Sequence, residues 1–358
     1  MAKRQLAPII ALVGGVVLFL LFLMIIGINP TELARRISGA SKTLLAVAII
    51  VDTFYILTYA LAWFFIVKAI EPHVRLQDIV VIVLIGWFGD MIVPAAFVTG
   101  EAIRLFLLKR MYGVEYSRAA ATIVVHRLLS AVAFALFVGL GLAFTGGPLV
   151  GNGELKHIMF FLVLSIVAVV LGLLLVAKID RVAAILIRLS EKARKSKVVR
   201  LLSRDLETSV KSFVDSVNVL KSNKAMILAG FALLVIQWGL GVAVPYIVFD
   251  AVGHHMSYWK LAVAFPIYGL ADNVPIGIPV NAGVLDAAMV SMFMLLGAPR
   301  EVAVSVTLLT RAITVAYEGI LTGLVTILVT PRIIGEADTL DRVKGMLWRR
   351  QAYNPRAT

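Results

Sequence analysis

Long apolar segments alternate with short polar segments along most of this chain. Six of them are mainly apolar and 20 or more residues long, at 6–26, 44–70, 119–144, 158–177, 225–249 and 302–329. A bilayer core about 30 Å thick needs roughly 20 consecutive apolar residues in a helix that crosses it. The pattern therefore predicts six full transmembrane helices.

Two further apolar regions, 79–109 and 261–296, are interrupted near the middle by Pro, Gly and carboxylate residues. Irregular backbone at membrane depth is tolerated only where it is buried in protein or lines a watery cavity. We therefore expect both regions to be broken helices beside a cavity.

Composition gives the same class. The chain has 358 residues, of which 61% are hydrophobic and 15% charged, too little polar surface for a soluble domain of this size. We expect an all-α polytopic integral membrane protein with no nucleic-acid partner. The N-terminal apolar run lacks a small-residue cleavage signal and is expected to be a retained signal anchor.

The formal net charge of +13 is concentrated in two segments. The stretch between Lys178 and Lys224 has twelve Lys and Arg against five Asp and Glu, and the tail after Pro331 has six against three. Cytoplasmic loops carry the excess of Lys and Arg, so both segments should be cytoplasmic. We expect a multi-pass protein of the cell membrane with cytoplasmic N- and C-termini.

The orientation of each apolar segment follows by counting membrane crossings outward from these two basic segments. If Arg104, Lys109 and Arg110 also lie inside and the Gly-rich loop 146–154 lies outside, region 79–109 enters and leaves on the cytoplasmic face. By the same count, region 261–296 enters and leaves on the outer face. The sequence thus predicts two opposed re-entrant hairpins, and Asn29 is expected to cap a short interfacial helix before the second crossing.

An internal repeat agrees with this count. The matching landmarks, in the same order and at similar spacing, are Asp90 with Asp272, Gly100 with Gly283, Gly113 with Gly297 and Arg127 with Arg311. Because the copies have opposite orientation, they are inverted repeats, the plan that secondary transporters use for alternating access.

These boundaries divide the chain as follows. We expect one transmembrane domain at 1–330, with repeat one at about 44–178, a basic cytoplasmic linker at 179–223 and repeat two at about 224–330. A basic cytoplasmic tail follows at 331–358.

Nine polar residues of the broken regions and their flanking helices form the candidate substrate-binding site: Asp90, Glu101, Arg104, Arg127, Asp272, Asn273, Asn281, Asp286 and Arg311. Arg127 lies about ten residues, or roughly 15 Å, into its helix and hence near the bilayer centre. Arg suits phosphate or carboxylate by its bidentate geometry. Two interpretations stay open: the helix arginines form internal ion pairs with nearby carboxylates, or they bind a phosphate during transport.

Other intramembrane polar residues are open to two interpretations as well. Arg104 lies three residues after Glu101 and either receives a head group at the cytoplasmic mouth or extends to the interface. Asp52 either relays protons or forms an internal hydrogen bond. Glu318 follows Arg311 by seven residues and could share a partner with it. The tryptophans at 63, 87, 238 and 259 are expected at interfaces or in packing.

Resident cofactors are not expected. The chain has no Cys, its five His show no metal-ligand spacing, and no Gly-rich phosphate loop or nucleophile elbow occurs. We expect no metal site and no ATP hydrolysis.

Four features carry a family resemblance: the string Gly100-Glu101-Ala-Ile-Arg104, the pair His126-Arg127, the 275–283 segment and Arg311. With these features the chain resembles the flippase-like membrane family. That family includes the membrane region of bacterial lysylphosphatidylglycerol synthase, also called multiple peptide resistance factor. The resemblance implies lipid translocation across the cytoplasmic membrane, with the Gly-Glu-x-x-Arg element and the helix Arg near the lipid path. The aminoacyl-transfer domain of those synthases is not expected here. That family often has Glu-Arg where this chain has His126-Arg127. It often has a Gly-Gly and Glu element where this chain has Asn281-Ala-Gly283 with Asp286.

We therefore expect a transporter that flips an anionic phospholipid or related lipid, with membrane lipids as partners; a homo-oligomer stays open. The alternative is a membrane-embedded enzyme or accessory protein acting on a polyprenyl-phosphate or glycolipid, with Asp90 or Glu101 as general base. A third hypothesis is a structural scaffold for a partner enzyme.

Overall fold

The computed structural model describes residues 2–93, 98–145, 163, 166–167, 170–192, 197–272, 277–333 and 335. The regular structure within these ranges is helical, as the sequence predicted. In chain order the helices are α1 (Ala2–Ile25), α2 (Pro30–Gly39), α3 (Lys42–Ile70), α4 (Leu76–Ile92), α5 (Val98–Tyr112), α6 (Tyr116–Phe144), α7 (Ile179–Lys192), α8 (Lys197–Ser222), α9 (Lys224–Ala251), α10 (Tyr258–Asp272), α11 (Val284–Leu295) and α12 (Arg300–Ile333).

Four helices, α3, α6, α9 and α12, are long and apolar enough to cross a membrane. The end of α1 and helix α2 form a fifth candidate span that bends by 111°. Large apolar side chains stay exposed on these helices, for example Phe54 on α3 and Ile320 and Ile327 on α12. Exposed apolar bands of this kind face lipid, so the chain is a polytopic α-helical membrane protein.

Of the span predicted at 158–177, only residues 163, 166–167 and 170–177 are described, so the count of six crossings stays a prediction. The other five predicted spans are all helical. Asn29 caps α2 as expected, because its side-chain oxygen accepts hydrogen bonds from the amides of Thr31 and Glu32 at 3.0 and 3.3 Å. The basic segment after Lys178 contains helices α7 and α8.

The first helices of the two predicted repeats, α3 and α9, pack against each other in opposite directions. The amide of Ser41, at the start of α3, donates a 2.8 Å hydrogen bond to the carbonyl of Ala251, at the end of α9. Further along, Gly230 lies against the carbonyl of Ala62. The two helices that begin the predicted repeats are therefore antiparallel, as inverted repeats require.

The first hairpin, α4 and α5, returns to the end of the bundle from which it starts. The Arg75 amide, before α4, donates to the hydroxyl of Tyr112, at the end of α5, at 3.0 Å. Helix α6 then begins beside the end of α3, where Arg118 donates to the carbonyl of Ile70 at 2.8 Å. We call this end, where α3 ends and α6 and α9 begin, the linker face. Helix α8 also meets it, since Ser212 contacts Ser117 at 3.0 Å.

The second hairpin, α10 and α11 with the short turn Pro279–Asn281 between them, starts and ends at the opposite face. Phe249 near the end of α9 packs its ring 5.0 Å from Phe293 near the end of α11. Arg300, which begins α12, donates to the carbonyl of Ile26 there. The turn of the second hairpin contacts α4 of the first, so the two hairpin tips meet inside the bundle.

Glycine permits the closest approach within the first hairpin. A Cβ atom on Gly100 would lie 2.2 Å from Oδ2 of Asp90 and 2.5 Å from the carbonyl oxygen of Gly86. Both distances are shorter than van der Waals contact, and the second involves backbone that cannot turn aside. Position 100 therefore requires glycine if α4 and α5 are to touch near their tip.

We expect Gly100→Ala to lower the free energy of unfolding by about 1–3 kcal/mol, because a methyl group here must push the two half-helices apart. The matched control is Gly139→Ala in α6, where a Cβ atom would meet nothing within 4 Å. That control should change stability by less than about 0.5 kcal/mol or raise it. Thermal unfolding of the purified proteins in detergent measures both changes, and equal effects would contradict the close packing of this tip.

Candidate functional site

The interior of the bundle contains a cavity of about 640 Å³ between the two repeats. This volume lies in the range of about 300–1,000 Å³ that ligand pockets usually have. Residues from both hairpins and from α3, α6, α9 and α12 line it. The polar and charged ones are Asp52, Tyr55, Tyr59, Asp90, Arg104, Arg127, Ser130, Gln237, Tyr268, Asp272, Asn281, Thr310, Arg311, Thr314 and Glu318.

At the tip of the first hairpin, two carboxylates have separate contacts. Asp90, near the end of α4, accepts a 2.7 Å hydrogen bond from the amide of Gly100, in the first turn of α5. Glu101, the next residue, forms a salt bridge with Nε of Arg127 on α6. The first contact satisfies a helix N-terminal amide that lipid could not satisfy, and the second holds the hairpin to α6.

At the tip of the second hairpin, one carboxylate makes both contacts. Asp286 in the first turn of α11 accepts from the amide of Gly283 at 2.6 Å and binds Nε of Arg311 on α12 at 2.9 Å. Arg311 also donates to the carbonyl of Val280 at 2.5 Å. Asp272 is left to bind the side-chain amide of Asn281 at 3.0 Å.

The turn of the second hairpin is also conformationally unusual. Val280 and Asn281 both have positive φ angles, 50° and 48°, which side-chain-bearing residues rarely adopt. Two contacts over-determine this turn: Arg311 binds the carbonyl of Val280, and Asn281 binds the end of α10. Strained backbone held in this way is typical of functional sites.

The two tips thus repeat one arrangement with different residues. In each repeat, an arginine of the following long helix pairs with a carboxylate in the first turn of the second half-helix. Of the two interpretations of Arg127 and Arg311, the structure has the internal ion pairs in place. The amides of Gly100 and Gly283 are occupied by Asp90 and Asp286.

Arg104 differs from the other two arginines. Its side chain is buried, with 3% of the residue exposed, so it does not extend to the interface. Its Nη1 donates to the hydroxyl of Tyr59 at 3.1 Å, and its guanidinium lies 4.0 Å from the centre of the Trp63 ring. Its Nε and Nη2 atoms have no hydrogen-bond partner within the described structure. These two atoms form the edge with which arginine binds phosphate or carboxylate bidentately.

Asp52 and Glu318 form a second polar group of the cavity. Both line the cavity, and their sequence neighbours Thr53 and Tyr317 lie 2.6 Å apart, although the two carboxylates belong to different helices, α3 and α12. Trp87 of α4 donates its indole N–H to Glu318 at 2.6 Å. The expected sharing of a partner between Glu318 and Arg311 is not observed within the described residues, where Arg311 binds Asp286 and Val280 and Glu318 accepts from Trp87.

The structure brings most of the predicted site together. Six of the nine predicted residues line the cavity directly: Asp90, Arg104, Arg127, Asp272, Asn281 and Arg311. Glu101 and Asp286 bind two of these arginines. Asn273 lies outside the described residues.

Two tryptophans contact charged residues of the site, which their sequence pattern did not predict. Trp63 and Trp87, expected at interfaces or in packing, contact Arg104 and Glu318 respectively. The available signal was helical spacing: Tyr59 and Trp63 are one turn apart on α3, and Trp87 is three residues before Asp90. That spacing places them on the same faces as the polar residues of the site.

The chemistry of this site is that of polar ligand binding inside a membrane. Among the residues that the structure describes, no group of three or more His, Asp or Glu is arranged to hold a metal ion. What the cavity offers is three guanidinium groups, one of them with an open bidentate edge, enclosed by apolar helices.

Comparison with known sequences places these features in a family. Residues 9–322 match the family described as the lysylphosphatidylglycerol synthase TM region. The matched range includes both hairpins, α3, α6 and α9, and every residue that lines the cavity.

Individual relatives are archaeal and cover nearly the same range. A UPF0104 membrane protein of Methanothermobacter thermautotrophicus is 21% identical over 311 residues, which cover 85% of this chain and 90% of the relative. The corresponding protein of Pyrococcus horikoshii is 23% identical over 308 residues, covering 84% and 90%, and that of Methanocaldococcus jannaschii 24% over 294 residues, covering 79% and 82%. With the family match extending over most of its length, the chain belongs to the lysylphosphatidylglycerol synthase transmembrane-region family.

Proposed function

We propose that this protein translocates an anionic phospholipid, or a related lipid with a phosphate head group, across the cytoplasmic membrane. Membership of the lysylphosphatidylglycerol synthase transmembrane-region family supports a role connected with membrane lipids. The inverted repeats support transport, since two copies of opposite orientation around a central site are the usual basis of alternating access.

Arg104 is the observation that carries this proposal. A buried arginine is expensive in a membrane protein and normally has a carboxylate partner. No salt bridge of Arg104 is found within the described structure, and the Nε and Nη2 atoms of its bidentate edge are buried without a hydrogen-bond partner. A phosphate placed against Nε and Nη2 would neutralise the charge and satisfy both donors, while Tyr59 and Trp63 hold the guanidinium in place.

The physical need for such a site is large. Moving an ionised phosphate from water into hydrocarbon without compensation costs tens of kcal/mol by solvation alone. A cavity lined by guanidinium groups replaces part of the lost hydration. The acyl tails need no such help and remain in lipid beside the exposed apolar faces of the bundle.

Arg127 and Arg311 have a different role in this proposal. Each holds one hairpin to the long helix that follows it, through Glu101 or Asp286. Both guanidinium groups also line the cavity and raise its positive potential. An arriving phosphate competes with Glu101 or Asp286 for these arginines, so that binding loosens one hairpin and opens its side of the cavity.

We propose further that the linker face is cytoplasmic. Arg75, Lys109, Arg110 and Arg118 lie near this face, and helices α7 and α8 add more Lys and Arg. The positive-inside rule then places the first hairpin at the cytoplasmic side and the second at the outer side.

The enzyme alternative has less support. It would use Asp90 or Glu101 as a general base, but Asp90 accepts the Gly100 amide and Glu101 is paired with Arg127. Covalent turnover of a polyprenyl-phosphate or glycolipid by the purified protein would favour that alternative over translocation.

Removing the Arg104 guanidinium tests the proposal. We expect Arg104→Gln to slow translocation of fluorescent phosphatidylglycerol in proteoliposomes by about tenfold or more, since a charge-assisted bidentate contact is lost. Arg104→Lys should restore only part of the rate, because an ammonium group keeps the charge without the planar edge. The assay is dithionite quenching of the fluorophore in the outer leaflet.

The matched control is Arg75→Gln, which removes an arginine from the linker-face end of the same hairpin. Its salt bridge with Asp78 is largely exposed, with 69% of the Arg75 side chain accessible. An exposed pair contributes little, so the control should translocate lipid at the unmodified rate. If Arg104→Gln matches this control while remaining folded, the assignment of Arg104 is wrong.

The ion pair of the first hairpin can be separated from substrate binding by a double-mutant cycle. Arg127→Gln should destabilise the protein by about 1–3 kcal/mol, because Glu101 is left without its partner in a low-dielectric interior. Combining it with Glu101→Gln should recover most of this stability, since two neutral amides can bind each other. Thermal unfolding in detergent measures the recovery.

Translocation should respond differently from stability. If Arg127 also contributes to the substrate path, the stable double variant still flips phosphatidylglycerol more slowly than the unmodified protein. A double variant with full stability and full transport would assign Arg127 a purely structural role.

A further inference from the structure

We propose that the carboxyl pair Asp52–Glu318 binds and releases one proton in each translocation cycle, so that lipid movement is coupled to the proton gradient. This inference rests on the proposed function, because it assigns an energy source to the same cavity. Its test is arranged so that failure of coupling and failure of translocation give different results.

The pair joins the two repeats at one point. Asp52 belongs to α3 of repeat one and Glu318 to α12 of repeat two. The neighbouring residues meet as well, since the hydroxyls of Thr53 and Tyr317 lie 2.6 Å apart. This contact brings α3 and α12 together beside the two carboxyl groups, and any rocking of one repeat against the other must break or remake it.

The chemistry of the pair requires a proton. Two carboxyl oxygens attract each other only when a proton lies between them, and two ionised carboxylates repel. Asp52 is 1% exposed and Glu318 is 4% exposed, so water screens this repulsion little. The Asp52 Oδ2 atom has no hydrogen-bond partner within the described structure and is available to take up or give up the proton.

Within the described residues, no neighbouring cation is dedicated to the pair. The titratable and charged groups that face it are Tyr55 on α3, Asp272 at the end of α10 and Arg311 on α12, with Asp90 of α4 lining the same cavity. Arg311 already binds Asp286, and Tyr55 carries no charge in its ordinary state. The protonation of the pair therefore decides whether the repeats attract or repel at this point.

A chain of contacts connects the pair with the open edge of Arg104. Trp87 donates to Glu318 at 2.6 Å, and its ring lies 5.4 Å from the ring of Tyr59 in an edge-to-face contact. The Tyr59 hydroxyl accepts from Arg104 at 3.1 Å. A displacement of Glu318 is transmitted through two rings to the residue that we assign to phosphate binding.

Helix α12, which carries Glu318, contains an irregular segment that can change conformation. Residues Ala312–Tyr317, directly between Arg311 and Glu318, form a π-helical segment. Such segments pack less regularly than α-helix and occur frequently at functional sites. One helix thus carries the arginine of the second hairpin, a deformable turn and one member of the pair.

The step itself is simple. When the pair is open to one side, an O–H bond forms on one carboxyl oxygen and the water on that side loses one proton. After the cavity has opened to the other side, that O–H bond breaks and the proton enters the water there. The two carboxyl groups end the cycle as they began, and no other bond changes.

The test uses the full chain in proteoliposomes that contain fluorescent phosphatidylglycerol and a pH-sensitive dye in the lumen. We expect a pH gradient to change the rate of lipid translocation, and the dye to report proton movement only when phosphatidylglycerol is present. Over one pH unit the occupancy ratio of a titrating site changes about tenfold, which sets the scale of the expected rate change.

Asp52→Asn/Glu318→Gln is the diagnostic variant, because two amides can hydrogen-bond each other and preserve the contact between the repeats without a titratable proton. It should flip lipid at a rate that no longer depends on pH, and its lipid-dependent proton movement should fall to the level of protein-free vesicles. The matched control is Asp250→Asn, a carboxylate outside the cavity that pairs with His255 near the opposite face. This control should keep the coupling of the unmodified protein.

The outcomes separate the two claims. If neither the unmodified protein nor any variant moves lipid, the proposed function fails, and the proposed coupling fails with it. If the unmodified protein moves lipid at a rate independent of the gradient and without proton movement, the function stands and the coupling is overturned. Coupling that survives in the double amide variant overturns the assignment to Asp52 and Glu318.

Discussion

A helix that breaks inside a membrane leaves backbone amides that lipid cannot satisfy, and the rest of this structure depends on how that cost is met. At both hairpin tips a carboxylate from the same repeat accepts the amide of the glycine that begins the second half-helix, at 2.7 Å for Asp90 and 2.6 Å for Asp286. Each carboxylate brought to membrane depth in turn needs compensation. The arginines of α6 and α12 compensate the negative charge of Glu101 and Asp286 by forming salt bridges with them. Broken backbone, buried acid and buried base thus form one interdependent set.

The inverted repeats convert this local requirement into a shared cavity. Since lipid gives no hydrophobic drive for helix association, membrane helices pack closely through small residues. Gly230 of α9 against Ala62 of α3, and Gly141 of α6 against the backbone of Trp259, show this packing. It brings the two hairpin tips to one level from opposite faces. The polar groups that each tip needs for its own stability then face each other across the cavity, where they are available to a ligand.

Much of this architecture could be predicted from sequence, because membrane depth and helix length are one-dimensional properties. The long spans at α3, α6, α9 and α12, the two broken regions and the inverted order followed from apolar run length and the position of Lys and Arg. The cap of α2 by Asn29 followed from its place before Pro30 and Thr31. The repeat alignment also matched Arg127 with Arg311 correctly, since both pair with the first turn of a half-helix.

What sequence could not decide was the choice of partner in three dimensions. Five carboxylates were compatible with each helix arginine, and only packing selects Glu101 and Asp286. Arg104 was expected at the cytoplasmic mouth or the interface, because its position along α5 does not show how deeply the hairpin enters the bundle. Trp63 and Trp87 were expected in packing or at interfaces, since tryptophan alone does not show whether its ring will meet a guanidinium or a carboxyl group. The proximity of Asp52 and Glu318 brings together positions 266 residues apart, and no local pattern reports it.

The central claim is that the cavity passes an anionic head group across the bilayer. It is tested most directly by reconstituting the unmodified protein and comparing, by dithionite quenching, the translocation of fluorescent phosphatidylglycerol with that of fluorescent phosphatidylcholine. The account predicts that both lipids need the protein and that phosphatidylglycerol moves faster, because only its head group is a net anion for the open edge of Arg104. Rates for phosphatidylglycerol equal to those of protein-free vesicles would contradict it.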